Sequence, residues 1–336
     1  MRRPIAATDE AALESPPVPD VAVRQPEVLV PLWWLLGLLC LAEALHELFG
    51  LGLPDDVFGP GIQAALQVAA AILCLARVAY EPRSGRAWLW IGAGLACWAL
   101  GTVLWDLLYS ADHRPPYPTV ADALWLAWYP LTVGGMAVLI HERVRRFELH
   151  RWMDGLAVML VVMTPAVALI VQPEAASSAD NGLATIVDFS YPILDVLLVG
   201  GVLGVCGLLG WRPGRTWVLL GLGCAVIASA DGLFSVQQAR GSLVEGDYGF
   251  LWSAGALLIA GAAWASTPAD ESRREVYGWR AIVLPVAAQL CAAGIQVYAL
   301  FHEIGSSERL VTLIVLVVAT VQIVISRPRP PSTGPT

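Results

Sequence analysis

The chain has 336 residues, 57% of them hydrophobic and 14% charged, with a formal net charge of -8. A soluble domain carries about 25% charged residues, so with a mean hydropathy of +0.64 a water-soluble globular fold is excluded. The chain reads as an all-α polytopic membrane protein. All 20 basic residues are arginine, and no basic surface for nucleic acid is expected. Six cysteines, Cys40, Cys74, Cys97, Cys206, Cys224 and Cys291, fall inside apolar runs without a CxxC pair. They read as small membrane-core residues rather than a disulfide or zinc framework, and no cofactor is expected.

Residues 1–30 hold five Pro, five acids and three Arg without an apolar stretch. They predict a disordered cytoplasmic tail rather than a signal peptide. A membrane domain follows over 31–326. About 20 apolar residues span the hydrocarbon core, and ten segments qualify: 31–49, 61–80, 87–109, 119–140, 152–171, 189–210, 215–238, 248–266, 279–301 and 309–326. Residues 327–336 form a short second tail. With the N-terminus inside, 17 arginines fall on cytoplasmic segments and three, Arg114, Arg240 and Arg309, outside. This asymmetry predicts both termini in the cytoplasm and location in the plasma membrane.

The spans repeat as helical hairpins. Gly85-Arg86-Ala87-Trp88 opens the third span and Gly214-Arg215-Thr216-Trp217 the seventh. Paired glycines follow in both, Gly92/Gly94 and Gly221/Gly223. Their ends match as well, Asp106-Leu107-Leu108-Tyr109-Ser110 with Asp231-Gly232-Leu233-Phe234-Ser235, and Asp122 and Asp247 open the next spans. The first and ninth spans share an Ala-Leu…His-Glu…Gly ending, at His46-Glu47 and His302-Glu303. Such same-direction repeats predict serial duplication of a two-helix unit.

Ionisable groups inside spans are costly and mark function by default. Nearly all fall toward the outer face; Asp154 is the exception. Asp106, Asp195 and Asp231, with Trp125, Trp128, Tyr129 and Tyr191 at similar depth, are the candidate ligand-binding residues of an acidic, aromatic-rimmed vestibule. An interfacial aromatic belt also accounts for the rings, and helix N-capping accounts for Asp122, Asp188 and Asp247. Glu43 and Glu47 share a helix face with His46. With His302 and Glu303 they make a candidate metal or proton-switch set. HExxH is absent, because Gly50 stands where the second His would be.

The stretch from Pro116 to Leu131, Pro-Tyr-Pro-Thr-Val-Ala-Asp-Ala-Leu-Trp-Leu-Ala-Trp-Tyr-Pro-Leu, is reinforced by Asp188-Phe189-Ser190-Tyr191-Pro192-Ile193-Leu194-Asp195 and Ala228-Ser229-Ala230-Asp231. It resembles the multi-span N-terminal region ahead of GGDEF and EAL domains in actinobacterial cyclic-di-GMP signalling proteins, over roughly 85–325. The resemblance implies a membrane region that senses a signal and passes it to a cytoplasmic cyclase or phosphodiesterase. No GGDEF or EAL run occurs in this sequence and only a short tail follows Ile325, so neither activity is expected of the chain, and no ligand residue is transferred.

The sequence therefore predicts a sensor-like module without a catalytic domain, partnered by the lipid bilayer and a separate cytoplasmic signalling protein. The competing readings are a transporter, using Asp195 and Asp231 with helix breaks at Pro192 and Gly232, and a lipid-modifying membrane enzyme using Glu43, His46, His302 and Glu303 as acid–base groups.

Overall fold

A computed structural model describes residues 29–50, 61–80, 85–109, 116–143, 182–208, 213–240 and 248–265, together with Glu27. Within them the chain forms seven α-helices and no strand. These are α1 (Leu29–Phe49), α2 (Ile62–Tyr80), α3 (Gly85–Leu108), α4 (Val120–Arg143), α5 (Gly182–Leu208), α6 (Gly214–Arg240) and α7 (Gly249–Trp264). The first six are long and apolar enough to cross a membrane, and α7 is a shorter apolar helix of 16 residues. This is the architecture of a helical membrane protein, in which each span satisfies its own backbone. The spans expected at 152–171, 279–301 and 309–326 lie outside the described residues, as do both tails apart from Glu27 and the first residues of α1, Leu29 and Val30.

Local chemistry sets the helix ends. Thr119 precedes α4, and Asp122 in its first turn reaches back: Oδ2 accepts from the Thr119 backbone N–H at 2.7 Å and from its hydroxyl at 2.8 Å. This is the capping-box arrangement, so Asp122 supports the cap from the third helical position instead of being the N-cap. The capping role expected of Asp188 is overturned. α5 begins at Gly182, because the apolar run through Val187 extends the helix by nearly two turns beyond the expected start, and Asp188 lies inside it. Asp247 lies outside the described residues. Gly50 closes α1 at φ 60° and donates its N–H to the His46 carbonyl at 2.8 Å, the left-handed C-terminal stop that glycine adopts without strain.

Contacts fix the helix directions. α3 and α4 are antiparallel, with Gly94 against Trp128 and Thr132 and Gly135 against Ala87 and Ile91. α2 and α3 are antiparallel, as are α5 and α6. Two seams are parallel. Along α4 and α5, Asp122 meets Tyr191, Tyr129 meets Asp195, and Met136 meets Gly201. Along α2 and α7, Gln63 meets Gly249, and Cys74 meets Ile259. Following neighbours from α2 through α7 and back to α2 closes a six-helix ring, with α1 against α2 and α7. The ring is thus two triplets, α2–α3–α4 and α5–α6–α7, each running in the same three directions. Glu43, Glu47, Asp106, Asp122, Asp188 and Asp231 all fall toward one end of the bundle. Arg77, Arg86 and Arg215 fall at the other.

Small residues let the backbones of α6 and α7 touch, the usual packing device between membrane helices. A Cβ on Gly223 would lie 2.5 Å from Ile259 Cγ1 and 2.8 Å from the Gly255 carbonyl oxygen. A Cβ on Gly255 would lie 2.5 Å from Ile227 Cγ1 and 3.0 Å from the Gly223 carbonyl oxygen. Neither helix can accept a side chain here without separating. Gly223→Val or Gly255→Val is therefore expected to lower stability by about 1–3 kcal/mol, as overpacking does. Gly37→Ala, at a position with nothing within 4 Å, should leave it within ±0.5 kcal/mol. Thermal unfolding of the purified chain in detergent measures all three.

Candidate functional site

Four helices converge on one phenol. Tyr129, the tenth residue of α4, is 2% exposed. Its hydroxyl lies 2.9 Å from Asp195 Oδ1 on α5 and 3.4 Å from Asp231 Oδ2 on α6. The Trp252 indole N–H of α7 donates to Asp231 Oδ1 at 2.7 Å. The Tyr129 ring meets the Tyr191 ring edge-on, with centroids 6.5 Å apart, and the Tyr191 hydroxyl donates to Asp122 Oδ1 at 3.0 Å. Tyr117, just before α4, hydrogen-bonds Asp188. Asp122, Asp195 and Asp231 are thus each met by a donor from another helix, as buried polar groups require.

Asp195 and Asp231 line a cavity of about 250 Å³ between α5 and α6. Its other walls include Pro192, Val196, Val199, Ala225 and Ser229. That volume corresponds to about eight waters of liquid, enough for a small organic molecule. The helix breaks expected at Pro192 and Gly232 are absent: both residues lie inside continuous helices. Pro192 instead lacks an N–H to continue the backbone ladder of α5.

The sequence-derived residues divide between places. Asp195, Asp231, Tyr129 and Tyr191 come together. Trp125 and Trp128 belong to the α3–α4 interface. Trp128 stacks on Trp98 at 5.9 Å and packs against Gly94, while Trp125 lies 5.9 Å from Trp105 and points its N–H at Thr102 Oγ1, 3.4 Å away. Asp106 sits near the end of α3, partly buried. Trp252 is a site residue that sequence reasoning missed; its only signal was a tryptophan at an expected interface, which an aromatic belt explains equally well.

Glu43 and Glu47 of α1 face α7. The Ser253 hydroxyl donates to Glu43 Oε1 at 3.0 Å, and the Phe250 backbone N–H to Glu47 Oε2 at 3.1 Å. His46 is buried on the same helix. His302 and Glu303 lie outside the described residues. Among the described residues no group of three or more His, Cys, Asp or Glu side chains is arranged to hold a metal ion.

Their surroundings separate the two tyrosines. Asp122 keeps both Thr119 donors without Tyr191, whereas the Tyr129 hydroxyl is buried between two carboxyl groups, Asp195 and Asp231, which themselves share a side-chain hydrogen bond. Removing a partner from a buried charged group costs about 1.5–3 kcal/mol. Tyr129→Phe is expected to lose about that much stability and Tyr191→Phe clearly less, in thermal unfolding of the detergent-solubilised chain. Equal losses would contradict the geometry.

No protein-family model matches the chain, and no curated protein and no solved structure matches it.

Proposed function

We propose that the chain is a sensor-like integral membrane module that binds a small organic cation between α5 and α6 and acts through a separate cytoplasmic partner. The observation that carries this reading is the pairing of Asp195 and Asp231 on one phenol at the wall of a 250 Å³ cavity. Carboxylates in a low-dielectric span are kept for a purpose. Among the described residues Tyr129, Trp252 and the bond between the two acids themselves meet them, which leaves acceptor sites open. An alkylammonium group supplies three donors and the missing positive charge. Val196, Val199 and Ala225 suit its alkyl body. The resemblance of the 116–131 and 188–195 stretches to membrane regions of cyclic-di-GMP signalling proteins supports sensing.

The topology in this proposal is ten spans made of repeated hairpins, in the plasma membrane, with both termini cytoplasmic. The parallel pairing of α4 and α5 supports that count. α4 is about 36 Å long, so Arg143 and Gly182 stand at opposite ends of the bundle, and the apolar segment 152–171 has the length needed to join them. The matching directions of the two triplets support duplication, and the arginine asymmetry supports the orientation. A second reading is a transporter for the same cations, which the membrane-buried acids favour.

Two measurements test this. Short alkyl mono- and diamines should raise the melting temperature of the purified chain, the corresponding alcohols should not, and Asp195→Asn and Asp231→Asn should each abolish the effect. No shift with any amine, or an undiminished shift in both variants, would sink the proposed ligand class. Cytoplasm-active reporters fused to each terminus should both give signal; signal from one end alone means an odd number of spans.

A further inference from the structure

A second polar cluster lies at the other parallel seam, between α2 and α7, away from the cavity of α5 and α6. It is built in two layers. In the first, Glu47 of α1 and Gln63 of α2 stand together over Gly249: a Cβ there would lie 2.6 Å from Glu47 Oε1 and 3.2 Å from Gln63 Oε1. One turn further along each helix, about 6 Å deeper, come Glu43, Gln67 and Ser253. Glu43 and Ser253 are 0% exposed and Gln67 is 1% exposed. The Ser253 hydroxyl donates to Glu43 Oε1 at 3.0 Å and the Thr102 hydroxyl to Gln67 Oε1 at 2.7 Å. Among the described residues Glu43 Oε2 and Gln67 Nε2 have no hydrogen-bond partner. Two unpartnered polar atoms on adjoining helices, both fully buried, are rare in a folded protein.

The cluster also has a place in the ring's plan. In the α2–α3 hairpin Gly92 packs on Leu75, and Gln67 stands two turns before Leu75. In the α5–α6 hairpin Gly221 packs on Val202, and Asp195 stands two turns before Val202. Gln67, eight residues before its contact, and Asp195, seven before its own, thus lie at similar depth in the two triplets but one residue apart in register. The Gln67 layer differs in charge: one carboxylate, from α1, in place of two.

We infer that Glu43, Gln67 and Ser253 bind a sodium-sized monovalent cation between α1, α2 and α7. The donors are a carboxylate, a hydroxyl and an amide, the hard oxygen ligands that suit alkali and alkaline-earth ions. The amide joins the set when turned over, an orientation equivalent in shape. Nε2 then donates to Thr102 Oγ1, the Thr102 hydrogen passes to the Trp98 carbonyl 3.4 Å away, and Gln67 Oε1 is left to the ion. One carboxylate balances one positive charge, whereas a divalent ion would keep an uncompensated charge in a low-dielectric site. Glu47 and Gln63, one layer out, make the polar approach from the end of the bundle. This site is independent of the ligand proposed for Asp195 and Asp231.

The test is the melting temperature of the purified full chain in detergent at fixed pH, with sodium, potassium or N-methylglucamine chloride at constant ionic strength. Above its dissociation constant sodium should raise the melting temperature by roughly 3 °C per tenfold increase, potassium less, and N-methylglucamine not at all. Glu43→Gln keeps the shape and the Ser253 contact but should lose the sodium response. Ser253→Ala, a smaller change that guards against a Glu43 variant that does not fold, should weaken apparent sodium affinity about tenfold. Asp195→Asn should respond as the unmodified chain does. Melting that is indifferent to the cation overturns the inference, as expected if a bound water or a proton alone serves Glu43. So does unchanged sodium affinity in Ser253→Ala, or a response that survives Glu43→Gln and vanishes in Asp195→Asn.

Discussion

A carboxylate inside a membrane bundle must be met by a donor from another helix, and much of the arrangement of this ring follows from that requirement. Asp195 is met by α4, Asp231 by α7 and by α4, Asp122 by α5, and Glu43 by α7. None of these bonds closes within a helix. Each is therefore also a bond between helices, and the polar groups specify neighbours where apolar packing alone does not: lipid tails are as apolar as leucine, so no hydrophobic force sorts the spans. Glycine completes the job. Where α6 and α7 touch at Gly223 and Gly255, the backbones approach closely enough to set the register of the helices that carry Asp231 and Trp252.

The two triplets are alike in direction and unlike in chemistry. In the second, the polar layer holds two acids and opens on a pocket. In the first, an amide lies at similar depth, and the one acid comes from α1, outside the ring. Two triplets alike in direction thus carry polar layers of different composition at similar depth.

What the sequence revealed depended on cost. Asp195 and Asp231 stood out because charge in a span is expensive, and the structure brings them together. Gln67, Thr102 and Ser253 escaped notice because neutral polar residues carry too small a penalty to be conspicuous among so many apolar neighbours. Trp128 was read as a site residue and lies instead between α3 and α4. α3 is apolar on all sides, so no amphipathic pattern says which face of its partner points inward. α5 starts earlier than the span expected from 189, because the residues after Gly182 are apolar enough to extend the helix. The parallel seams had no local signature at all: pairing between helices distant in the chain is a property of the assembled ring.

The bond from Tyr129 to its two acids has one further consequence. A phenol has one hydrogen to give, and it lies between two acceptors at 2.9 and 3.4 Å. At any instant it can serve only one of them well. Rotation about a single C–O bond moves the hydrogen from the α5 carboxylate to the α6 carboxylate without displacing either backbone. Tyr129 can therefore bond well to either neighbour of α4, and a short bond to one carboxyl group comes at the expense of the other.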